Sequence, residues 1–141
     1  MKTKEREMLA IANDEWFEGS LIEEEYQYCR WDAKDDDCIV EFKHRNKHYD
    51  TWIIEFDKYI FNLNYAILNN LQFFYITGTD SVIDCFNIIP LKNKDVFKWK
   101  WMDQPETTEF GNPIKIKKYV AFLEKEHRYD TVRFSPKAEA I

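Results

Sequence analysis

Glycine is scarce in this chain, with three among 141 residues, and none of the glycine spacings of Walker or dinucleotide-binding loops occurs. Few places remain for a phosphate-cradling loop, and no organic cofactor is expected. Cysteine is almost as rare: Cys29, Cys38 and Cys85 are odd in number, and no two have zinc-ligand spacing, so reduced, buried thiols are expected. No Ser or Cys stands near a His, which leaves covalent catalysis without support. His44 and His48 are four apart but have no acid or third His in company, and His127 is isolated. There is no long apolar run, secretory h-region or small-residue cleavage site. The expected place is therefore the cytoplasm, with no membrane partner. Excess positive charge is missing too, and a net charge of −6 argues against a general nucleic-acid coat, whose affinity comes from neutralising phosphates.

What is present is aromatic and unevenly charged. Aromatics make up 17% and hydrophobic residues 45%, which excludes a disordered chain and predicts a core rich in Phe, Tyr and Trp. The length suits one domain over residues 1–141, burying roughly 70% of its unfolded surface. Acids crowd residues 14–37, whereas bases cluster at 43–48, 92–100 and 115–118. An acidic centre flanked by basic segments suits an enzyme that holds a metal ion and grips a polyanion around it. Ordinary solvated faces are the plain alternative.

Periodicity predicts a first helix over 3–17, capped by Thr3, with Glu5, Met8, Leu9, Ala12 and Trp16 on one stripe. Glu18-Gly19-Ser20 should break it. Strands are expected at 26–32, 38–43 and 50–55, then a helix over 58–70 capped by Asp57 with Phe61, Tyr65 and Leu68 on its apolar face. Two more strands, 71–77 and 81–89, should flank Gly78-Thr79-Asp80. That order favours an α/β layer arrangement around a mixed sheet. Beyond Pro90 the pattern is less distinct: Lys98 and Lys100 interleave with Trp99 and Trp101, 104–113 is turn-rich, 114–125 suits either a strand or a helix, and the tail from Ser135 should fray. The two tryptophans fit base stacking or, more plainly, one buried strand face.

Residues 31–43 carry the most chemistry. Cys38 to Lys43 is a run of β-formers, and alternation puts Glu41 and Lys43 on one face with Val40 and Phe42 on the other. A two-residue turn over Asp35-Asp36 would set Asp32 opposite Ile39 and diagonal to Glu41, roughly 7–8 Å away on the same face. A one-residue slip would send Asp32 to the other side. Two carboxylates and an ammonium so placed suit phosphodiester hydrolysis with a divalent metal, Mg²⁺ or Mn²⁺, both of which prefer oxygen ligands. Arg45 and Lys47, just beyond, are natural phosphate clamps.

Asp32 followed nine residues later by Glu41-Phe42-Lys43 resembles the PD-(D/E)XK nuclease superfamily, most closely its small phage-type members such as Holliday-junction resolvases and homing-associated endonucleases. Trp31 stands before Asp32 where the signature often, though not always, has proline. The resemblance spans about residues 3–90 in element order. It implies a restriction-endonuclease-like αβββαβ core with residues 91–141 as a C-terminal extension. It further implies a Mg²⁺-dependent DNA endonuclease, in a cytoplasm such as that of a phage-infected bacterium. Asp32 and Glu41 would be metal ligands with the Phe42 carbonyl a third, and Lys43 would hold or activate water. Glu5 fits the carboxylate that the first helix often supplies, and Lys58 a further cation near the metal.

Cutting both strands needs two such centres, so a homodimer is expected. The alternatives are a catalytically inactive nuclease fold that binds nucleic acid or protein, and an aromatic-rich interaction protein. In the latter Asp32 is a turn acid, Glu41 and Lys43 line a wet strand edge, Glu5 complements the helix dipole, and Lys58 is an ordinary exposed helix lysine.

Overall fold

The computed structural model describes residues 1–26, 28–105 and 114–135. These form an α/β structure with three helices, a six-stranded mixed sheet and a three-stranded antiparallel sheet. Helix α1 (Thr3–Ala12) continues into a π-wound turn, Asn13–Phe17, and ends where Glu18 and Gly19 take φ of 53° and 79°. Thr3 is not its cap: Lys2 holds that position with no side-chain capping bond. The expected stripe is the buried one, with Met8 and Ala12 inside and Leu9 and Trp16 packed at the margin.

Two short strands follow, β1 (Ile22–Glu23) and β2 (Ala33–Lys34), and then the long β3 (Cys38–His44). Among the described residues of 26–32 the expected strand does not form, and 28–32 run through turns and bends. The Glu24 N–H closes this loop on the Asp32 carbonyl at 2.8 Å, and the Trp31 ring docks 4.3 Å from the Tyr65 ring. Docking that ring against a helix takes the place of strand pairing.

Beyond β3 come β4 (Thr51–Glu55), α2 (Phe56–Leu68), β5 (Gln72–Gly78), β6 (Val82–Asn87) and α3 (Ile88–Asn93). The chain then forms β7 (Lys100–Pro105), β8 (Lys115–Glu124), a 3₁₀ turn at Lys125–His127 and β9 (Asp130–Arg133). The larger sheet has the order β1-β2-β3-β5-β6-β9, in which β3 and β5 are parallel and every other pair antiparallel. A parallel pair needs a crossover, and β4 with α2 provides it. β4 does not join the sheet of β3; it pairs with β8 in a second sheet, β4-β8-β7. Residues 114–125 are thus strand, not helix. Most of the turn-rich 104–113 stretch and of the tail lies outside the described residues.

Alternation along β3 divides the core. Val40 and Phe42 face α1, packing with Met8, Ala12, Ile76 and Ile83. Ile39 faces the other way, toward Trp52, Tyr59, Leu63 and Phe73 beneath α2 and the second sheet. Helix α2 begins at Phe56 with Glu55 at its N-cap, so Asp57 lies in the first turn rather than capping it. Its buried face is Tyr59, Asn62, Leu63 and Ala66, whereas Phe61 and Leu68, expected inside, are 43% and 84% exposed. Asn62 explains the rotation: a polar residue turned inward meets Glu41 on β3 and the Arg30 carbonyl in the loop before β2, partners that an apolar count cannot anticipate. No described helix is long and apolar enough to cross a membrane.

Candidate functional site

The Asp35 carboxylate shapes the hairpin that leads into the site. Its Oδ1 accepts the N–H groups of Asp37 (2.8 Å) and Cys38 (2.9 Å), and its Oδ2 accepts the Ser20 hydroxyl at 2.6 Å. Burial works to raise its pKa, but these donors outweigh it and hold the carboxyl below its usual range. A turn satisfied this way centres on Asp36-Asp37, one residue later than expected. Lys34 therefore pairs with Ile39 and Ala33 with Val40, a displacement of two that leaves these ladder residues on their expected faces. Val40, the ladder partner of Ala33, also accepts the Asp32 N–H at 2.9 Å. Two residues facing one is a β-bulge, which re-aims the side chain it carries.

Asp32 is consequently turned onto β3, where its Oδ2 accepts the Phe42 N–H at 2.8 Å. Phe42 lies between Glu41 and Lys43, so one backbone bond fixes the first acid of the motif against its other two members. Glu41 is 6% exposed. Its Oε2 accepts the Asn62 side-chain N–H at 3.1 Å, and its Oε1 lies 3.4 Å from the Lys58 ammonium. Asn62 also donates to the Arg30 carbonyl at 3.0 Å, and its own Oδ1 is buried without a hydrogen-bond partner. Lys58 approaches Glu55 Oε2 at 3.9 Å, and Lys118 closes on Glu55 Oε1 at 2.7 Å. A chain of alternating charge thus runs from β3 through α2 and β4 to β8.

Asp32, Glu41, Phe42, Glu55, Lys58 and Lys118 line an open cleft of about 1160 Å³ between the two sheets. The site residues expected from sequence mostly meet there: Glu5, Asp32, Glu41, Phe42, Lys43, Arg45 and Lys58 all contribute to its walls. Lys47 does not; it is exposed and lies over the Tyr49 ring at 5.5 Å. His44 joins Asp80 at 2.9 Å, and the same carboxylate oxygen takes Lys4 at 3.1 Å, tying the start of α1 to the β5–β6 turn.

Electrostatics show how demanding the cleft is. Burial raises the pKa of Glu5, Asp32 and Glu41 alike, and Glu41 is pushed up to about 7. Asp32 adds to the upward push on both Glu5 and Glu41, while Lys43 and Lys58 pull Glu5 and Asp32 back. Lys43 is driven down to about 8, by burial first and then by Arg45, Lys58 and Lys2, with Glu5 opposing. Nearby carboxylates favour the ammonium, but burial and neighbouring cations prevail. Burial also pulls Lys58 down, yet Glu41 and Glu55 more than compensate and hold it above its ordinary range.

Sequence reasoning missed Asn62, Glu55, Lys118 and Tyr75. Lys58 and Asn62 stand one turn apart on α2, a spacing that could have found Asn62. Lys118 reaches Glu55 across the second sheet and has no local signal. Tyr75, the β5 partner of Glu41, donates to the Ile53 carbonyl at 3.0 Å and also hydrogen-bonds Arg45; burial raises its hydroxyl to about 12.

Oxygen donors are the natural metal ligands of such a site, and Asp32, Glu41 and the Phe42 carbonyl are all of that type. Glu5, Asp32 and Glu41 do not bring three carboxylates to within 4.8 Å of one another. Among the described residues the only set that close is Glu124, Glu126 and His127. That set is outside the cleft and is built around a capping box in which His127 Nδ1 accepts the Glu124 N–H at 3.0 Å. Comparison with protein-family models, with curated proteins and with solved structures finds no match.

Proposed function

We propose that this protein is a metal-dependent endonuclease that hydrolyses DNA phosphodiester bonds, with a restriction-endonuclease-like core. The observation that carries the reading is the meeting of Glu5, Asp32, Glu41 and Lys43 in one cleft, with Asp32 bound to the backbone between the other two motif members. The order α1, β1, β2, β3, β4, α2, β5, with β3 parallel to β5, supports a mixed α/β core of the kind the resemblance implies, although β4 pairs in the second sheet. Charge supports it as well. Lys2, Lys4, Lys43, Arg45, Lys58 and Lys118 line the cleft against Glu5, Asp32, Glu41 and Glu55, six bases to four acids in a chain whose net charge is −6. A polyanion is drawn to that cleft rather than to the surface at large.

Asp32 and Glu41 are the proposed carboxylate ligands of Mg²⁺, for which Mn²⁺ can substitute. The N–H and C=O of a strand residue project to the same edge, so the Phe42 carbonyl faces the side where Asp32 stands and offers a third oxygen. A bound divalent ion supplies an activated water and offsets phosphate charge. Desolvation disfavours the ionised forms of buried Glu41 and of part-buried Glu5 and Asp32, and a divalent ion beside them would favour those forms again. Lys43, with its pKa brought near 8, can hold the attacking water and share its proton. Arg45 and Lys58 offer cations to the flanking phosphates. Lys47, over Tyr49, is set aside from this contact. Two copies acting as a homodimer would cut both strands of a duplex.

One observation favours an inactive nuclease fold that only binds. Glu41 already has Lys58 and Asn62 as partners, and no third carboxylate approaches within 4.8 Å to complete a closed set. An assay on supercoiled plasmid and on a four-way junction, with Mg²⁺ or Mn²⁺, separates the two. Cleavage by the native protein, lost in Asp32→Asn and Glu41→Gln, is the expected result. Binding without cleavage would leave the inactive fold.

A further inference from the structure

A buried carboxylate has to be matched by positive charge or else give up its ionised form. For Glu41, Lys58 supplies that match, its ammonium 3.4 Å from Oε1. The two partners differ in freedom. Glu41 is fixed in the middle of β3 and held from the other side by Asn62, whereas the Lys58 side chain is 45% exposed and hangs from the first turn of α2 on a flexible stem. Lys58 also has a second carboxylate within reach, Glu55 at 3.9 Å, so it can leave Glu41 without becoming unpaired. Glu55 keeps Lys118 at 2.7 Å in either case.

We propose that Lys58 is a resident counter-ion of the site: its ammonium and the divalent cation compete for Glu41, and metal uptake releases Lys58 toward Glu55 and the open cleft. This rests on the metal-dependent reading above and adds to it a place-holding role for Lys58. The same residue neutralises Glu41 before the metal arrives and is freed as a cation for phosphate afterwards. The metal site is thereby kept from collapsing onto an unmatched charge, at the expense of affinity for the ion.

Calorimetric titration of Mn²⁺ into the native protein, Lys58→Gln and Lys118→Gln, at one mildly alkaline pH, tests the competition. Gln at 58 can still donate a hydrogen bond to Glu41 but carries no charge. Lys58→Gln should bind Mn²⁺ about tenfold or more tightly than the native protein. Lys118→Gln, which removes an equal charge from the same cleft but not from Glu41, should stay within about threefold. In chelator Lys58→Gln should melt below the native protein, and saturating Mn²⁺ should abolish the deficit. Lys58→Arg, which keeps the charge, should show no gain in affinity and covers the case of a Gln variant that does not fold without metal.

Unchanged or weaker Mn²⁺ binding by Lys58→Gln, or an equal gain in Lys118→Gln or Lys58→Arg, would overturn the competition while leaving the nuclease reading intact. Absence of Mn²⁺ binding in every variant would remove the metal-dependent reading and this role together.

Discussion

Glu41 and Lys43 carry the cleft's electrostatic burden in opposite senses. With the Glu41 pKa at about 7 when folded, against an unfolded value near 4.3, the fold prefers the neutral acid. The stability this preference confers is complete below the unfolded pKa and is lost as pH rises through the folded one. In chelator, Glu41→Gln should therefore be more stable than the native protein by roughly 1–3 kcal/mol at about pH 8 and indistinguishable from it below about pH 4. Thermal melts across that range check the sign, and a difference independent of pH would mean that the carboxylate is not the source. Lys43 is burdened in the opposite sense, its ammonium disfavoured by burial and by neighbouring cations. Lys43→Ala should consequently keep its fold and its DNA binding while cleavage falls by about 100-fold or more. Circular dichroism and a gel-shift titration beside the cleavage assay distinguish this from a structural role, in which folding would fail as well.

At the scale of elements, α1, α2 and the strands β3 to β6 were legible in outline from their apolar periods, and the motif faces from the period of two in a strand, whereas α3, whose first residues were read into the strand before it, and β8, which fitted either period, were not. The hairpin register was not. Asp35 captures two turn N–H groups and moves the turn by one residue, a choice among three consecutive aspartates that composition cannot make. Glu41 and Lys43 kept their face whatever the register, and Asp32 still reaches the cleft because the bulge turns it onto β3. The strand expected over 26–32 failed because Trp31 docks on Tyr65, and the inward face of α2 was misjudged because Asn62 has partners in Glu41 and the Arg30 carbonyl. In each case a tertiary contact overrode a local pattern. Gly78 shows the reverse, a residue whose identity is explained only by neighbours. A Cβ there would lie 2.2 Å from the Val82 carbonyl oxygen and 2.7 Å from the Ile83 Cα, both main chain, while the Gly78 carbonyl accepts the Arg45 N–H at 2.7 Å. Gly78→Ala should cost about 1–3 kcal/mol in urea unfolding. A neutral result would mean that β6 yields at that point more easily than its pairing suggests.

Across the whole molecule, the cleft exists because two sheets are held at a distance by α2 and by a buried polar tie. Asp84 on β6, 1% exposed, accepts the Trp52 indole N–H of β4 at 2.7 Å and the Arg128 guanidinium at 3.2 Å. No sequence pattern joins residues 52, 84 and 128, since only the completed fold brings them together. Removing Arg128 would leave a buried carboxylate with an indole as its remaining hydrogen-bond donor. Arg128→Ala is accordingly expected to destabilise by about 2–4 kcal/mol, discounted for the partial exposure of the arginine. Asp84→Asn with Arg128→Ala should recover part of that loss, and additive losses in a double-mutant cycle would deny the tie.

The central claim is that a divalent cation is held by Asp32 and Glu41 at the β3 edge. Crystals soaked in Mn²⁺ and measured at the manganese edge test it most directly. The account predicts an anomalous peak with carboxylate oxygens of both Asp32 and Glu41 about 2.0–2.3 Å away. A peak at Glu124, Glu126 and His127 instead, or none in the cleft at a concentration that saturates the protein in solution, would contradict it.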